Sequence, residues 1–176
     1  MQFICLLGIT GSGKSTIEKY FESLGYKRSV SYTTRKPQVR DGVQEVDGNE
    51  YRFVSVEKFM NLVNKEIIIE YENYSGNFYG TPEPFGATRY VAVVCINGYK
   101  ALKEKYGKQV VGVYLKVSDE VAIARATSKD RTAEQVLKRI EQDKKLLSNV
   151  ESVVDITVDG TLSEEAIVSQ ILTLTR

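Results

Sequence analysis

Residues 3–15 read Phe-Ile-Cys-Leu-Leu-Gly-Ile-Thr-Gly-Ser-Gly-Lys-Ser. The apolar run Phe3–Leu7 ends at Gly8, which is typical of a strand buried on both faces of a parallel sheet. Beyond the glycine-rich segment, apolar residues return at the spacing of one helix face, at Ile17, Tyr20, Phe21 and Leu24. Gly25 then offers a left-handed helix stop. The stretch therefore predicts a buried strand, a tight loop and a helix in direct succession.

The second half of the chain repeats this alternation. Residues 90–96 and 110–117 predict two more buried strands, and Tyr99, Leu102 and Tyr106 mark a helix between them. Three further helices are predicted. The first begins at the cap Ser118 and runs through Ala126, and the second follows a capping box of Thr132 and Gln135 and carries Val136, Leu137, Ile140 and Leu147. The third carries Ile167, Ile171 and Leu174 on one face. This order predicts an α/β fold with a mostly parallel sheet covered by helices on both faces.

The segment 31–87 interrupts the alternation. It is richer in Gly, Asn, Pro and Tyr, and it predicts short strands around Tyr51 and over 67–74, with a helix over 56–64 between them. We interpret it as an inserted α+β subdomain, so that residues 1–30 and 88–176 together form the core domain.

Composition excludes several classes of function. A net charge of +1 over 176 residues argues against nucleic acid and membrane surfaces as partners, because both need a broad excess of Lys and Arg. No apolar run approaches the roughly 20 residues of a membrane span, and a cytoplasmic protein is expected. The chain has no His, which excludes Ser-His and Cys-His nucleophile pairs. Cys5 and Cys95 lie in apolar runs, where small buried side chains are expected.

The glycine-rich loop matches the Walker A pattern of Gly, four residues, Gly, Lys and then Ser or Thr. Its glycines let successive amide N–H groups point at phosphate oxygens, and the helix dipole adds a partial positive charge. Lys14 is expected to reach the outer phosphates of ATP, and the Ser15 hydroxyl is expected to hold Mg²⁺. The predicted ATP-binding residues are Gly8, Thr10, Gly11, Ser12, Gly13, Lys14, Ser15 and Thr16.

Three segments after the loop resemble the acceptor-binding region of guanylate kinases in order and spacing: residues 29–37, residues 47–54, and Glu70 with residues 75–82. The resemblance implies a P-loop NTPase three-layer fold in which the insert binds a nucleoside monophosphate. It implies that Arg35, Tyr51 and Tyr79 hold the acceptor phosphate. Ser31, Glu70 and Thr81, together with Asn97, would then contact the guanine base. A carboxylate suits guanine because the base offers N1–H and N2–H₂ donors.

The resemblance also implies an arginine-rich lid, here at about residues 125–138. Arg139 matches the family's helix arginine, whereas Arg125 and Arg131 align approximately. With Lys14 and Arg35, these three arginines form the predicted catalytic set. The implied reaction transfers the γ-phosphoryl group of ATP to GMP or dGMP, which needs positioning and charge neutralisation rather than a covalent nucleophile.

The sequence departs from the family at several positions and leaves alternatives open. Gln38 stands where a second phosphate-binding arginine is expected, with Arg40 as a candidate replacement, and Cys95 and Asn97 replace two acidic residues. These changes concern Mg²⁺ handling and base selectivity. A kinase for another monophosphate or a sugar phosphate, and a non-catalytic guanylate kinase-like binding module, remain alternatives. The oligomeric state, monomer or dimer, is also left open.

Overall fold

A computed structural model describes residues 2–40, 42–84, 86, 88–128 and 131–175. Its elements, in chain order, are β1 (Gln2–Leu7), α1 (Lys14–Ser23), β2 (Lys27–Arg28), β3 (Tyr32–Thr33), β4 (Val39–Arg40), β5 (Val43–Gln44), β6 (Arg52–Phe53), α2 (Val56–Asn64), β7 (Ile68–Tyr74), β8 (Asn77–Pro82), β9 (Arg89–Val93), α3 (Ile96–Tyr106), β10 (Val110–Lys116), α4 (Asp119–Ala126), α5 (Ala133–Leu146), β11 (Ile156–Asp159) and α6 (Glu164–Leu174). Short 3-10 turns cover Gly107–Gln109 and Val150–Ser152.

The core is a parallel sheet of five strands in the order β11-β10-β1-β9-β2. The central strand β1 is buried along Phe3–Leu7 because alternate side chains enter two different clusters. Ile4 and Leu6 pack with α1 and α6 on one face, whereas Phe3, Cys5 and Leu7 pack with α3 on the other. The predicted α/β fold with helices on both faces of a parallel sheet is confirmed.

A second sheet lies within the segment 31–87. Its order is β6-β3-β8-β7, with antiparallel pairs except for β3 and β6. Helix α2 packs on it through Phe59, whose ring stacks on Phe78 at 5.6 Å between centroids and meets the edge of Tyr71 at 5.7 Å. Strands β4 and β5 form a separate hairpin. Strands β7 and β8 of this small sheet contribute residues to the wall of the cavity described below.

Several sequence predictions are confirmed at the level of single residues. Gly25 has a φ of 84°, as a left-handed helix stop requires. Ser118 caps α4, and Thr132 with Gln135 forms the capping box of α5. None of the helices in the described ranges is long and apolar enough to cross a membrane.

Other predictions are wrong in detail. The strand expected over 90–96 ends at Val93, and Cys95 is instead the N-cap of α3. Cys95 is therefore only partly buried, unlike Cys5. Leu24 was assigned to the buried face of α1 but is 41% exposed, because it follows the last helical residue as the C-cap. Leu137 and Leu174 are exposed as well, at the edges of their helical stripes.

Replacing Phe21 by Ala should therefore destabilise the core far more than replacing Leu24 by Ala, although both residues follow the same helical spacing. Phe21 is fully buried, so Phe21→Ala is expected to lower the free energy of unfolding by about 3–5 kcal/mol. Leu24→Ala serves as the control and should cost less than about 1 kcal/mol, as is usual for exposed side chains. Urea unfolding at 25 °C measures both values. Equal losses would contradict this packing of α1.

Candidate active site

A cavity of about 1380 Å³ lies between the core sheet and the small sheet. The loop between β1 and α1, the residues after β9, the strand β8 and the helix α5 contribute to its wall. It brings together all but one of the predicted site residues: Gly8, Thr10, Gly11, Ser12, Gly13, Lys14, Ser15, Thr16, Ser31, Arg35, Tyr51, Tyr79, Thr81, Asn97, Arg125, Arg131 and Arg139. Glu70 is the exception.

The loop after β1 is held in one shape by its glycines. Gly11 has a φ of 79°, and a Cβ on it would lie 2.3 Å from the carbonyl oxygen of Ala122 in α4. Gly13, with a φ of 95°, leads directly into the first turn of α1. Gly11 is therefore required for its backbone conformation and for its close packing against α4, and Gly13 is required for its backbone conformation. The loop and the helix N-terminus that follows line the cavity, and the main-chain amides at the start of a helix favour bound anions such as phosphate.

Lys14 folds back over this loop. Its Nζ donates to the carbonyl oxygens of Gly8 and Ile9, each at 2.8 Å, and lies 3.4 Å from the Ser12 hydroxyl. Burial lowers the pKa of Lys14 to about 8, partly offset by the nearby Asp143 carboxylate. A desolvated ammonium group at this position would interact strongly with any phosphate that enters the loop.

A chain of contacts links the loop to the small sheet through α5. The buried carboxylate of Asp143 accepts a hydrogen bond from the Thr10 amide at 2.7 Å and pairs with Arg139 Nε at 3.0 Å. The Arg139 guanidinium lies over the ring of Tyr74 in β7, 4.1 Å from the ring centroid, and the Tyr74 hydroxyl donates to Gln142. Arg139 is thus linked through Asp143 to the loop after β1 and through Tyr74 to the small sheet.

Within the segment 31–87, Arg35 forms a bidentate ion pair with Glu45. The two nitrogen–oxygen distances are 2.7 and 3.1 Å, and Glu45 is 6% exposed. The guanidinium also lies over the rings of Tyr51 and Phe53, 5.2 and 5.5 Å from their centroids. Tyr51 in turn meets the ring of Tyr79 edge-on at 5.7 Å. The two phenols and the guanidinium predicted to hold an acceptor phosphate therefore form one contiguous group.

Glu70 lies next to the cavity wall rather than in it. It is opposite Thr81 in the β7–β8 pair, and its Oε2 is 3.7 Å from the Cys95 thiol. Burial, together with the nearby carboxylate of Glu72, raises the pKa of Glu70 to about 7, although hydrogen bonds from Cys95 and Thr81 act in the opposite direction. Glu72, two residues along the same face of β7, lines the cavity itself.

Comparison with known proteins agrees with this geometry. The family described as guanylate kinase matches residues 1–172. The chain belongs to the guanylate kinase family. A guanylate kinase from Anaplasma phagocytophilum is 26% identical, with 98% of this chain and 84% of that chain covered and a TM-score of 0.70. A gluconokinase from Sinorhizobium meliloti 1021 shares the fold at 16% identity, with 99% and 91% covered and a TM-score of 0.54. Family and fold support a phosphotransferase with nucleotide substrates.

The lid expected for this family is short in the described part of the chain. Helix α4 ends at Ala126, Ser128 and Arg131 form an isolated bridge, and α5 begins at Ala133. Arg125 donates to the carbonyl oxygen of Gly160 at 2.8 Å. Lys129 and Asp130, which belong to the predicted lid, lie outside the described residues, as does the side chain of Arg40. Gln38, at the family's second arginine position, lines the cavity.

Four side chains of the site were missed by sequence reasoning: Glu45, Glu72, Tyr74 and Asp143. Glu45 is brought to Arg35 by the hairpin β4–β5, which closes with a hydrogen bond from the Glu45 amide to Gln38 O at 2.8 Å. Asp143 lies among charged residues of an amphipathic helix, where the sequence pattern predicts an exposed side chain. For Glu72, alternation along β7 gave a usable signal, because residues 70 and 72 must share a face.

Loss of Glu45 should destabilise the acceptor side. In Glu45→Ala, the largely buried Arg35 guanidinium is left without its carboxylate, and we expect the free energy of unfolding to fall by about 3 kcal/mol. Glu151→Ala is the matched control, since it breaks an exposed pair with Lys116 and should cost less than about 1 kcal/mol. Both values come from urea unfolding. If Glu45→Ala and Glu151→Ala lower the free energy of unfolding by the same amount, the pair of Arg35 and Glu45 does not stabilise the fold.

Proposed function

We propose that this protein is a nucleoside monophosphate kinase that transfers the γ-phosphoryl group of ATP to GMP or dGMP. The observation that carries the proposal is a single cavity with a phosphate loop and Lys14 on one wall and Arg35, Tyr51 and Tyr79 on another. A polyphosphate and a monophosphate can therefore meet end to end in one space. Family membership supports the same reaction class.

The donor side follows from the loop. Main-chain amides at the start of α1 would bind the polyphosphate, and Lys14 would exchange its carbonyl partners for phosphate oxygens. The loss of hydrogen bonds to two neutral carbonyls is offset by stronger bonds to an anion. Asp143 occupies the Thr10 amide in the structure, so a donor phosphate at that amide would compete with this carboxylate.

Magnesium fits the donor side through Ser15. The Ser15 hydroxyl belongs to the first turn of α1 and lines the cavity, and Mg²⁺ favours oxygen ligands from a protein group, phosphates and water. In the described ranges, no group of acidic, thiol or imidazole side chains could hold a metal by itself. When bound, the ion neutralises charge on the transferring phosphoryl group.

The acceptor side offers a fork of donors for a monophosphate. Bonds to Glu45 and Lys36 O use three of the five N–H donors of Arg35, and the phenols of Tyr51 and Tyr79 lie beside it. Ser31, Thr81 and Asn97 line the neighbouring wall, where we assign the base. Arg139 lies between the two sides and is positioned to stabilise charge during transfer, with Arg125 and Arg131 on the same cavity wall.

The acceptor is identified by an ADP-release assay with ATP, Mg²⁺ and each candidate acceptor in turn: GMP, dGMP, AMP, CMP, UMP and a sugar phosphate. We expect ADP formation that depends on GMP or dGMP. Activity with AMP, CMP, UMP or the sugar phosphate instead would show that the guanine assignment is wrong. Absence of acceptor-dependent ADP with every compound would favour a non-catalytic binding module.

Lys14→Ala should abolish turnover and leave the fold intact. We expect kcat to fall by about 10²–10³-fold or more, because a preorganised charge is removed from the transferring group. The thermal midpoint should stay close to that of the wild-type protein. Lys19→Ala, on the exposed side of the same helix, is the control and should keep wild-type kcat. An unchanged kcat in Lys14→Ala would refute the mechanism.

A further inference from the structure

Two carboxylates and a thiol meet at the base side of the cavity. Glu70 and Glu72 lie two residues apart on one face of β7, opposite Thr81 and Tyr79 of β8. The thiol of Cys95, the N-cap of α3, lies 3.7 Å from Glu70 Oε2, and it also lowers the pKa of Glu72. Of the two carboxylates, only Glu72 lines the cavity.

The first turn of α3 presses tightly against this cluster. The Gly98 amide donates to the Cys95 sulfur at 3.2 Å, and a Cβ on Gly98 would lie 2.4 Å from the Thr81 hydroxyl and 3.3 Å from Glu70 Oε2. The thiol is therefore held in place by α3 while it faces both carboxylates. Burial and the two carboxylates raise the pKa of Cys95 to about 12, so the thiol keeps its proton and can donate it at neutral pH.

We propose that Glu72 is a second base-recognition residue, which accepts a hydrogen bond from the exocyclic amine of the acceptor base and so sets a preference for GMP over IMP. The inference rests on the proposed function. Guanine carries both N1–H and N2–H₂ donors along one edge, whereas hypoxanthine lacks the amine. Glu70 lies outside the cavity lining, whereas Glu72 lies in the cavity wall and can offer the amine a carboxylate acceptor there.

Charge around Glu72 is balanced from three neighbouring elements. Burial has the largest effect on the pKa of Glu72 and raises it. The Arg139 guanidinium of α5 and the thiol of Cys95 lower it. Glu70 on the same strand repels it, and the phenol of Tyr79 lies opposite on β8. Helix α2 packs on this sheet through the apolar Phe59. A neutral thiol at residue 95 thus lets two carboxylates lie close together, which a third carboxylate there would oppose.

The cluster also predicts a pH dependence. Burial raises the pKa of Glu72, and a protonated carboxyl group no longer offers both oxygens as acceptors, so the hydrogen bond to the guanine amine should weaken as Glu72 gains a proton. The phosphate group titrates near pH 6 in GMP and in IMP alike, so the ratio of their kcat/KM values cancels that contribution. We expect the GMP preference of the wild-type protein to decline as the pH falls through the raised pKa of Glu72. Cys95→Asp should move this decline to higher pH, because a third carboxylate raises the pKa of its neighbours.

The test compares kcat/KM for GMP and IMP in the wild-type protein, Glu72→Ala and Glu57→Ala. Glu57 is an exposed carboxylate in the first turn of α2, away from the cavity, and it matches the charge change. In Glu72→Ala we expect the GMP preference to fall about 10-fold or more through a higher KM for GMP, with kcat and the KM for ATP within about twofold of wild type. Glu57→Ala should keep the wild-type preference.

Three results would overturn the inference: an unchanged GMP preference in Glu72→Ala, equal use of GMP and IMP by the wild-type protein, or a loss confined to kcat and ATP binding. The last would show that Glu72 acts through Arg139. Failure of the proposed function is seen separately, since the wild-type protein would then form no ADP with GMP at all. Thermal midpoints of the variants identify any loss that arises from unfolding.

Discussion

Close packing around the glycine-rich turn between β1 and α1 governs how the neighbouring elements of this protein are arranged. Backbone donors can converge on a phosphate only where the chain turns sharply from a buried strand into a helix, and here glycines permit that turn. Gly11 lies against the backbone of Ala122, so the loop also determines how closely α4 approaches. The sheet places this turn at the carboxyl ends of its strands, and the cavity opens at that edge.

The protein balances the charge of this cavity with its own carboxylates. Arg35 is paired with Glu45, and Arg139 with Asp143, which also accepts a hydrogen bond from the loop. The positively charged side chains that line the cavity would otherwise repel one another in a partly desolvated space. The carboxylates keep those cations in position, and α5 transmits contact from the loop to Tyr74 on the opposite wall. The two binding sides are therefore mechanically connected.

Much of the fold was predictable because its signals are local. The apolar run Phe3–Leu7, the capping box at Thr132 and the stop at Gly25 each depend on neighbouring residues, and each prediction is confirmed. Errors occurred where periodicity was extended past the end of an element. Leu24 follows the helical spacing but comes after the last helical residue, and Cys95 continues an apolar run but caps the next helix. Backbone hydrogen bonds, rather than the pattern, determine where an element ends.

The fold class, the Walker A motif and the family can be read from the sequence alone, because each is encoded by residue type at short and regular spacing. Only the tertiary structure showed that Glu45 reaches Arg35, that Asp143 contacts Thr10, and that Glu72 rather than Glu70 lines the cavity. A hairpin brings Glu45 to Arg35, and more than a hundred residues separate Asp143 from Thr10. For Glu72, the position in the cavity wall depends on how β7 packs. Such contacts depend on how whole elements pack, and no local pattern records that packing.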